Sequence, residues 1–510
     1  MGISGSSTSG LITTHLIPSS LTMEDIVEKK PTPENNQDSL SVDNGYLKDS
    51  LNTPHEGKLV RKIDLVLMPV MLVAYMLAFI DKQTLNSSAI MGIKEDLNLH
   101  GSQYSWASSI FYFGYLVASY PVSVLLVKFP LGKYLSITFI LWAIVLACHA
   151  ATESFAGIMC TRFFLGFTEA SLSPGFNLIT SIWYRTSEQP LRHGLWFCGN
   201  SISFIIGNLI TIGVWKIESN LASWRWLFII FGLVTFFWGL VMLFVIPDSP
   251  ASAKFLSEEE KLLANERLRA NQAGYKSNKL DRGQIVEAVV DYKTWMLALY
   301  VLGCNIPNGG FTAFSSQILQ GFGFSTTRTL LLGMPAGAVM LVAVILSCLA
   351  SSKFKNSRCV IMAVVNCISI IGCALIYATS SMASRYAGLL LMGVFSAGLP
   401  LAFAMISSNV GGFTKRATVG AVIFIAYCAG NIIGPQIFFE REAPKYESGF
   451  LGTIICFVFT IVDSVLLGFL LRRENRRRDR VAVSASGLEN EGLELVDITD
   501  FQNMQFRYAY

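Results

Sequence analysis

The sequence of 510 residues is 52% apolar and only 15% charged, whereas ordinary soluble domains carry about 25% charged residues. Its net charge of +4 is small, and the basic residues lie in short segments between apolar runs, which argues against a nucleic-acid partner. The composition therefore indicates a protein that crosses a lipid bilayer several times.

Residues 1–57 are rich in Ser, Thr, Asn and Pro, a composition too polar to bury a core. We predict that they form a disordered cytoplasmic tail. No conventional signal peptide precedes the first apolar run, so we expect that run to direct insertion into the membrane.

Beyond this tail, about twelve apolar segments are long enough to cross about 30 Å of hydrocarbon. We number them spans 1 to 12, and they cover residues 62–92, 105–126, 134–152, 158–183, 194–215, 225–246, 294–317, 329–350, 358–379, 386–408, 418–439 and 450–471.

A hydrophilic stretch from Pro247 to Tyr292 divides the spans into six and six. Within it, Ser257 and Glu260 have the spacing of a capping box that opens an amphipathic helix. We therefore predict an all-α integral membrane protein with an N-terminal six-helix bundle at 58–246, a cytoplasmic central loop at 247–292, a C-terminal six-helix bundle at 293–472 and a cytoplasmic tail at 473–510.

The orientation follows from the distribution of basic residues. The segments between spans 2 and 3, 4 and 5, 8 and 9, and 10 and 11 are short and basic, and "RRENRRRDR" follows span 12. Because cytoplasmic loops carry an excess of Lys and Arg, we predict that these segments and both termini face the cytoplasm.

Span 1 ends in "FIDKQTLNSS", which contains the adjacent charges Asp81 and Lys82. A charge at the bilayer centre costs at least about 2.5 kcal/mol, so one that persists usually faces a cavity or a partner. Neighbouring residues point about 100° apart on a helix, so we expect each of these two to have its own task. The alternative is that the helix ends at Ile80 and the pair marks the water interface.

Span 4 contains "CTRFFLGFTEASLSPGF", in which Arg162 and Glu169 lie two helical turns apart on one face. A nearby cation shifts the proton affinity of an acid, so an acid whose cation is drawn to a substrate anion can exchange its proton. We therefore predict that Asp81 and Glu169 couple protons and that Lys82 and Arg162 bind an anionic substrate. A purely structural ion pair is the alternative.

The C-terminal half offers polar amides instead of charges. Asn305 and Asn308 lie in span 7 beside "PNGGF", and Tyr427 and Asn431 lie one turn apart in span 11. We predict that these four residues bind the rest of the substrate near the middle of the membrane. Amides also join transmembrane helices to one another, so a role in helix packing stays open for each of them.

Several stretches, in their order along the chain, resemble the major facilitator superfamily and within it the anion:cation symporters of the fungal allantoate permease type. They are "YMLAFIDKQTL", "SWASSIFYFGYLVASYP", "RFFLGFTEASLSPGF", "WRWLFIIFG" with "IPDSPASAKFLSEEE", "GGFTKRATVGA" and "YCAGNIIGPQIF", and the resemblance covers about 58–472. It implies two six-helix bundles that rock around a central site. It also implies that Asp81, Lys82, Arg162 and Glu169 serve proton coupling and carboxylate binding, although many relatives have Arg where this chain has Lys82.

The sequence therefore predicts a secondary active transporter that carries a small organic anion together with protons. The alternatives are a non-transporting nutrient sensor on the same fold and a facilitator without proton coupling. We expect a monomer in the lipid bilayer of the plasma membrane.

No nucleophile motif appears, and the ten cysteines lack the close spacing of metal ligands, so we expect neither an enzyme nor a metal or other cofactor.

Overall fold

The computed structural model describes residues 54–185, 188–272, 281–484 and 498–510, and within these ranges the regular structure is entirely helical. The predicted disorder of residues 1–53 lies outside the described residues. The predicted tail is too long by four residues, because residues 54–57 form the first turn of a helix.

The helices before the central loop are α1 Pro54–Ala89, α2 Ile93–Asp96, α3 Gln103–Lys128, α4 Leu131–Cys148, α5 Phe155–Glu169, α6 Leu172–Trp183, α7 Gln189–Phe197, α8 Gly199–Trp215 and α9 Ser223–Val245. The loop contains α10 Glu258–Gln272 and α11 Arg282–Val290. The remaining helices are α12 Tyr292–Gly321, α13 Thr326–Lys353, α14 Arg358–Ala378, α15 Met382–Met392, α16 Gly398–Asn409, α17 Phe413–Ile433 and α18 Glu447–Ser484.

In the part of the chain that the structure describes, ten helical segments are long and apolar enough to cross a membrane. The other two predicted spans correspond to α5 with α6, and to α12. Helix α5 ends at Glu169 and α6 begins at Leu172, so neither piece reaches a spanning length alone. Helix α12 has 30 residues, but its amides and glycines lower its hydropathy.

Helix α1 continues without a break through Asp81 and Lys82 to Ala89. The alternative in which this helix ends at Ile80 is therefore wrong. Asp81 is fully buried and Lys82 is partly buried, so both charges lie inside the packed helices and not in a surface loop.

Glycines bring α5 close to α3. A Cβ atom on Gly114 would collide with the carbonyl oxygen of Phe163, and one on Gly166 would collide with the carbonyl oxygen of Phe111. Only glycine permits such a close approach of two helix backbones. This close contact fixes the orientation of α5 relative to α3, and with it the direction of the helix face that carries Glu169.

The capping box predicted in the central loop is confirmed. The Ser257 amide donates to the Glu260 carboxylate at 2.9 Å, and the Glu260 amide donates to the Ser257 hydroxyl at 3.2 Å. Glu260 also accepts from Lys62 of α1 at 2.7 Å, so the start of α10 is joined to the first helix.

The described residues from Lys58 to Tyr510 form one compact unit, and the division into bundles at 246 and 293 stays a prediction. Helix α18 extends to Ser484, beyond the end of span 12 at 471. Residues 498–510, which we call the C-terminal segment, pack against the ends of several helices. Arg478 of α18 donates to three of its backbone carbonyls, those of Asp500, Asn503 and Phe506, at 2.9 to 3.1 Å.

Candidate substrate and proton site

A buried ion pair joins α1 to α5. The Nζ atom of Lys82 lies 2.6 Å from Oε1 of Glu169, and the two side chains are 13% and 3% exposed. The aromatic rings of Phe79 and Phe111 lie 5.4 and 5.3 Å from the ammonium, within the range of cation–π attraction. Lys82 thus meets Glu169 and not its sequence neighbour Asp81.

Arg162 and Asp81 form the second part of this charged cluster. Arg162 is 2% exposed, Asp81 is fully buried, and Arg162 interacts electrostatically with both Asp81 and Glu169. Two nitrogens of Arg162, both carboxylate oxygens of Asp81 and Oε2 of Glu169 have no hydrogen-bond partner among the described residues. The structure therefore gathers two acids and two bases in one place and leaves much of their hydrogen-bonding capacity unused.

Such unused capacity is costly. A buried polar atom without a partner costs about 1–3 kcal/mol, and more when it is charged. Native proteins keep such groups where they bind ligands or exchange protons. The cluster can attract an anion through its two bases and take up protons through its two acids.

Aromatic hydroxyl groups that the sequence did not single out surround the ion pair. Tyr75, Tyr112 and Tyr115 each interact electrostatically with both Lys82 and Glu169. The rings of Tyr112 and Tyr427 meet edge to face with centroids 6.1 Å apart. Tyr112 of α3 thus links the charged cluster to Tyr427 of α17.

The predicted amides form a hydrogen-bonded chain between α12 and α17. Asn308 donates to the side-chain oxygen of Asn431 at 2.9 Å, and Asn431 donates to the side-chain oxygen of Asn305 at 3.0 Å. Asn305 and Asn431 are fully buried, whereas Asn308 and Tyr427 are partly exposed. In this structure, Asn305 and Asn431 join the two helices. This is the role in helix packing that the sequence left open for these amides.

No group of three or more His, Cys, Asp or Glu side chains in the described ranges has the arrangement of a metal site. Within the charged cluster, Lys82 and Glu169 lie at ion-pair distance.

These observations define a class of protein: a helical membrane protein whose transmembrane helices bury a cluster of opposite charges beside aromatic hydroxyl groups. The family model of the Major Facilitator Superfamily matches residues 71–435. The chain belongs to this superfamily and, within it, to the fungal allantoate permease type. It is a membrane transporter and not an enzyme.

Three similar proteins illustrate this relationship. An uncharacterized transporter of Schizosaccharomyces pombe is 38% identical over 95% of this chain and 99% of its own length. The allantoate permease of Saccharomyces cerevisiae is 38% identical over 90% of this chain and 87% of its own length. The solved proton:xylose symporter XylE has a TM-score of 0.62 at 13% identity, covers 80% of this chain and 96% of its own, and shows the fold alone.

Proposed function

We propose that the protein is a proton-coupled symporter of a small organic anion that works by alternating access. The observation that carries this proposal is the Lys82–Glu169 ion pair, which lies beside the unpartnered side-chain atoms of Asp81 and Arg162. The allantoate permease among its relatives suggests a substrate with a carboxylate, a class that also includes ureidosuccinate, dipeptides and vitamin-like acids.

In this mechanism, Glu169 holds Lys82 as long as its carboxylate is charged. A proton on Glu169 removes that attraction, because a neutral carboxyl group no longer pairs with the ammonium. Lys82 then binds the carboxylate of the substrate. The unpartnered Oε2 atom of Glu169 is the position at which we expect the proton to bind.

Asp81 and Arg162 make a second exchange of the same kind. Asp81 balances the charge of Arg162 until it takes up a proton, and Arg162 then offers its unpartnered nitrogens to the substrate. Arg presents a planar fork to a carboxylate, whereas Lys presents a point charge. We therefore assign orientation of the substrate carboxylate to Arg162 and its attraction to Lys82.

Residues of α12 and α17 complete the proposed site. Asn308 and Tyr427 are partly exposed, and the Tyr427 ring contacts that of Tyr112, so we assign to these two residues the contacts with the remainder of the substrate. Asn305 and Asn431 hold the Asn308 side chain in place through the amide chain, and Asn431 also donates to the backbone carbonyl of Tyr427 at 2.9 Å.

The proposed setting is the plasma membrane, with a monomeric protein and both termini in the cytoplasm. The basic segment that follows span 12 supports this orientation, because cytoplasmic ends carry the excess of Lys and Arg.

The Glu169→Gln variant tests proton coupling. Gln cannot take up a proton, so we expect the variant to lose accumulation of substrate against its gradient, while exchange of internal for external substrate continues. Both activities would be measured in proteoliposomes with a panel of radiolabelled small carboxylates. A Glu169→Gln variant that still concentrates substrate contradicts the assignment.

The same vesicles separate the alternatives. Uptake by the unmodified protein that does not depend on a proton gradient favours a facilitator. Binding of a carboxylate without any flux favours a nutrient sensor on the same fold.

A further inference from the structure

A basic cavity lies where α18 leaves the apolar part of the chain, and it shares no residue with the charged cluster of α1 and α5. Its volume is about 520 Å³, which is in the range of small-molecule sites. Its wall contains Asn356, Arg472, Asn475, Arg476, Asp479, Arg507, Tyr508, Ala509 and Tyr510.

One face of α18 supplies four of these residues. Arg472, Asn475, Arg476 and Asp479 follow the i, i+3, i+4, i+7 spacing that places side chains on one side of a helix. Arg473 and Arg477 also belong to this basic run, but they lie about 100° and 140° around the helix from Arg472 and do not line the cavity.

The C-terminal segment forms the opposite wall and is held firmly there. Asn475 donates to the Tyr508 carbonyl at 2.8 Å and accepts from the Tyr508 amide at 2.9 Å. Asn409 makes the same pair of bonds with Ala509 at 2.8 and 2.7 Å, and the Arg358 amide donates to the Tyr510 carbonyl at 3.1 Å. The cavity is therefore a built feature of the fold.

The charges in the cavity favour an anion. Arg507 pairs with Asp479 at 2.8 Å, whereas Arg472 and Arg476 have no ion-pair or hydrogen-bond partner within the described ranges. Two guanidinium groups four residues apart on one helix face present forked donors to one ligand, the geometry that suits phosphate oxygens.

The position of the cavity indicates that a phosphate bound there would belong to a lipid headgroup. From Phe450 to Leu471 the only charged residue of α18 is Asp463, and Val462, Val465, Leu466 and Phe469 are exposed apolar side chains. Arg472 follows at once, so the cavity lies at the depth of lipid headgroups. With the orientation proposed above this is the cytoplasmic leaflet, where anionic lipids attract basic segments next to a membrane helix.

We infer that this cavity binds the phosphorylated headgroup of an anionic phospholipid, with Arg472 and Arg476 as the phosphate ligands and the C-terminal segment as the second wall. The test compares the double variant Arg472→Gln/Arg476→Gln with the matched control Arg473→Gln/Arg477→Gln. Both variants remove two charges from the same helix, but only the first changes the cavity.

Native mass spectrometry of the purified full-length protein would measure retention of phosphatidylinositol 4-phosphate, with phosphatidylserine and phosphatidylcholine as comparison lipids. We expect the cavity variant to lose roughly tenfold more affinity for phosphatidylinositol 4-phosphate than the control variant, because it loses paired, charge-assisted hydrogen bonds as well as charge. Equal losses in the two variants would mean diffuse attraction along a basic helix and would overturn the site. Equally tight binding of inorganic phosphate would overturn the assignment to a lipid. Both variants should melt at the temperature of the unmodified protein, because their side chains are exposed.

Discussion

Lys82 and Asp81 are neighbours along the chain but interact with different residues in the folded protein. Lys82 meets Glu169 of α5, and Asp81 shares the electrostatic environment of Arg162. This arrangement agrees with the expectation that side chains about 100° apart on a helix take separate tasks. The roles of both residues in transport remain predictions.

The Asp81→Asn variant tests the second pair. Asn cannot take up a proton, so we expect the ratio of uptake at acidic pH to uptake at neutral pH to fall toward the part that Glu169 alone supplies, while carboxylate binding persists through Arg162. Transport in proteoliposomes at the two pH values would measure this ratio.

Asp463→Asn is the matched control for Asp81→Asn. Asp463 is 7% exposed in α18, and one of its oxygens has no partner among the described residues, so the chemical change is the same in a similarly buried place. We expect the control to keep its pH dependence. Loss of pH dependence in both variants would show that the effect comes from neutralising any buried aspartate. It would then not depend on the position of Asp81 beside Arg162.

The cost of a charge inside a membrane was enough to identify the four charged residues from the sequence. Their pairing could not be predicted, because Lys82 and Glu169 are 87 residues apart and meet only when α1 packs against α5. Tyr75, Tyr112 and Tyr115 were missed for a related reason. The side chain of a tyrosine in an apolar run can face lipid, the protein core or a cavity. Only the packing of the helices determines which of these it faces.

At the scale of elements, hydropathy predicted the spans well, and the helix at 294–317 was found although its amides lower its hydropathy. The packing of the C-terminal segment was not predicted. Asp500 accepts from Lys293 at 2.7 Å, from Lys415 at 2.7 Å and from the Tyr508 hydroxyl at 2.8 Å. Lys293 and Asp500 are 207 residues apart in sequence, so no local sequence pattern predicts this contact.

The Asp500→Asn variant tests whether this ion cluster holds the C-terminal segment. Asp500, Lys293 and Lys415 are buried, and removing one partner of a buried ion pair costs up to about 3–5 kcal/mol. Asp291 lies 2.9 Å from both lysines and stays as their partner, so the loss should be smaller than this range. We therefore expect residues 498–510 to exchange their amide hydrogens faster in the variant. Asp479→Asn is the control, because the Asp479 side chain is 62% exposed and an exposed pair contributes little.

The same cluster predicts a pH dependence. Burial raises the pKa of Asp500, but Lys293 and Lys415 outweigh burial and lower this pKa below its ordinary value. A carboxylate with a lowered pKa in the folded state stabilises that state above its ordinary pKa, and the contribution is lost as the pH falls through the lowered value. Protection of the segment should therefore be complete at neutral pH and should decline only in strong acid. A decline that begins near neutral pH would contradict this account.

At the scale of the whole molecule, helices from the two predicted bundles meet at the end where α1 and α12 finish. Asn86 donates to Ser315 at 2.8 Å, and Lys94 donates to Gln317 at 2.5 Å. The Tyr104 hydroxyl donates to the Ala313 carbonyl at 2.8 Å. The proposed alternating access would require such contacts to break when this end opens, so we propose that they form a gate that is closed in this structure.

The Tyr104→Phe variant tests the gate. It removes one hydroxyl donor and keeps the ring, so the lost hydrogen bond should shift the equilibrium toward the open end by about 1 kcal/mol, or roughly fivefold. Faster hydrogen exchange in peptides that cover 83–104 and 311–319 would measure the shift.

Tyr386→Phe is the matched control for the gate, because the Tyr386 hydroxyl donates to the Leu332 carbonyl at 3.0 Å between α15 and α13, both within the predicted C-terminal bundle. This bond need not break in a movement between bundles, so the control should leave the exchange of both gate peptides unchanged. If the two variants change these peptides equally, the hydroxyl of Tyr104 contributes only to general stability. If neither changes them, the closed end is held by Asn86 and Lys94, and the corresponding variants at those residues should then open it.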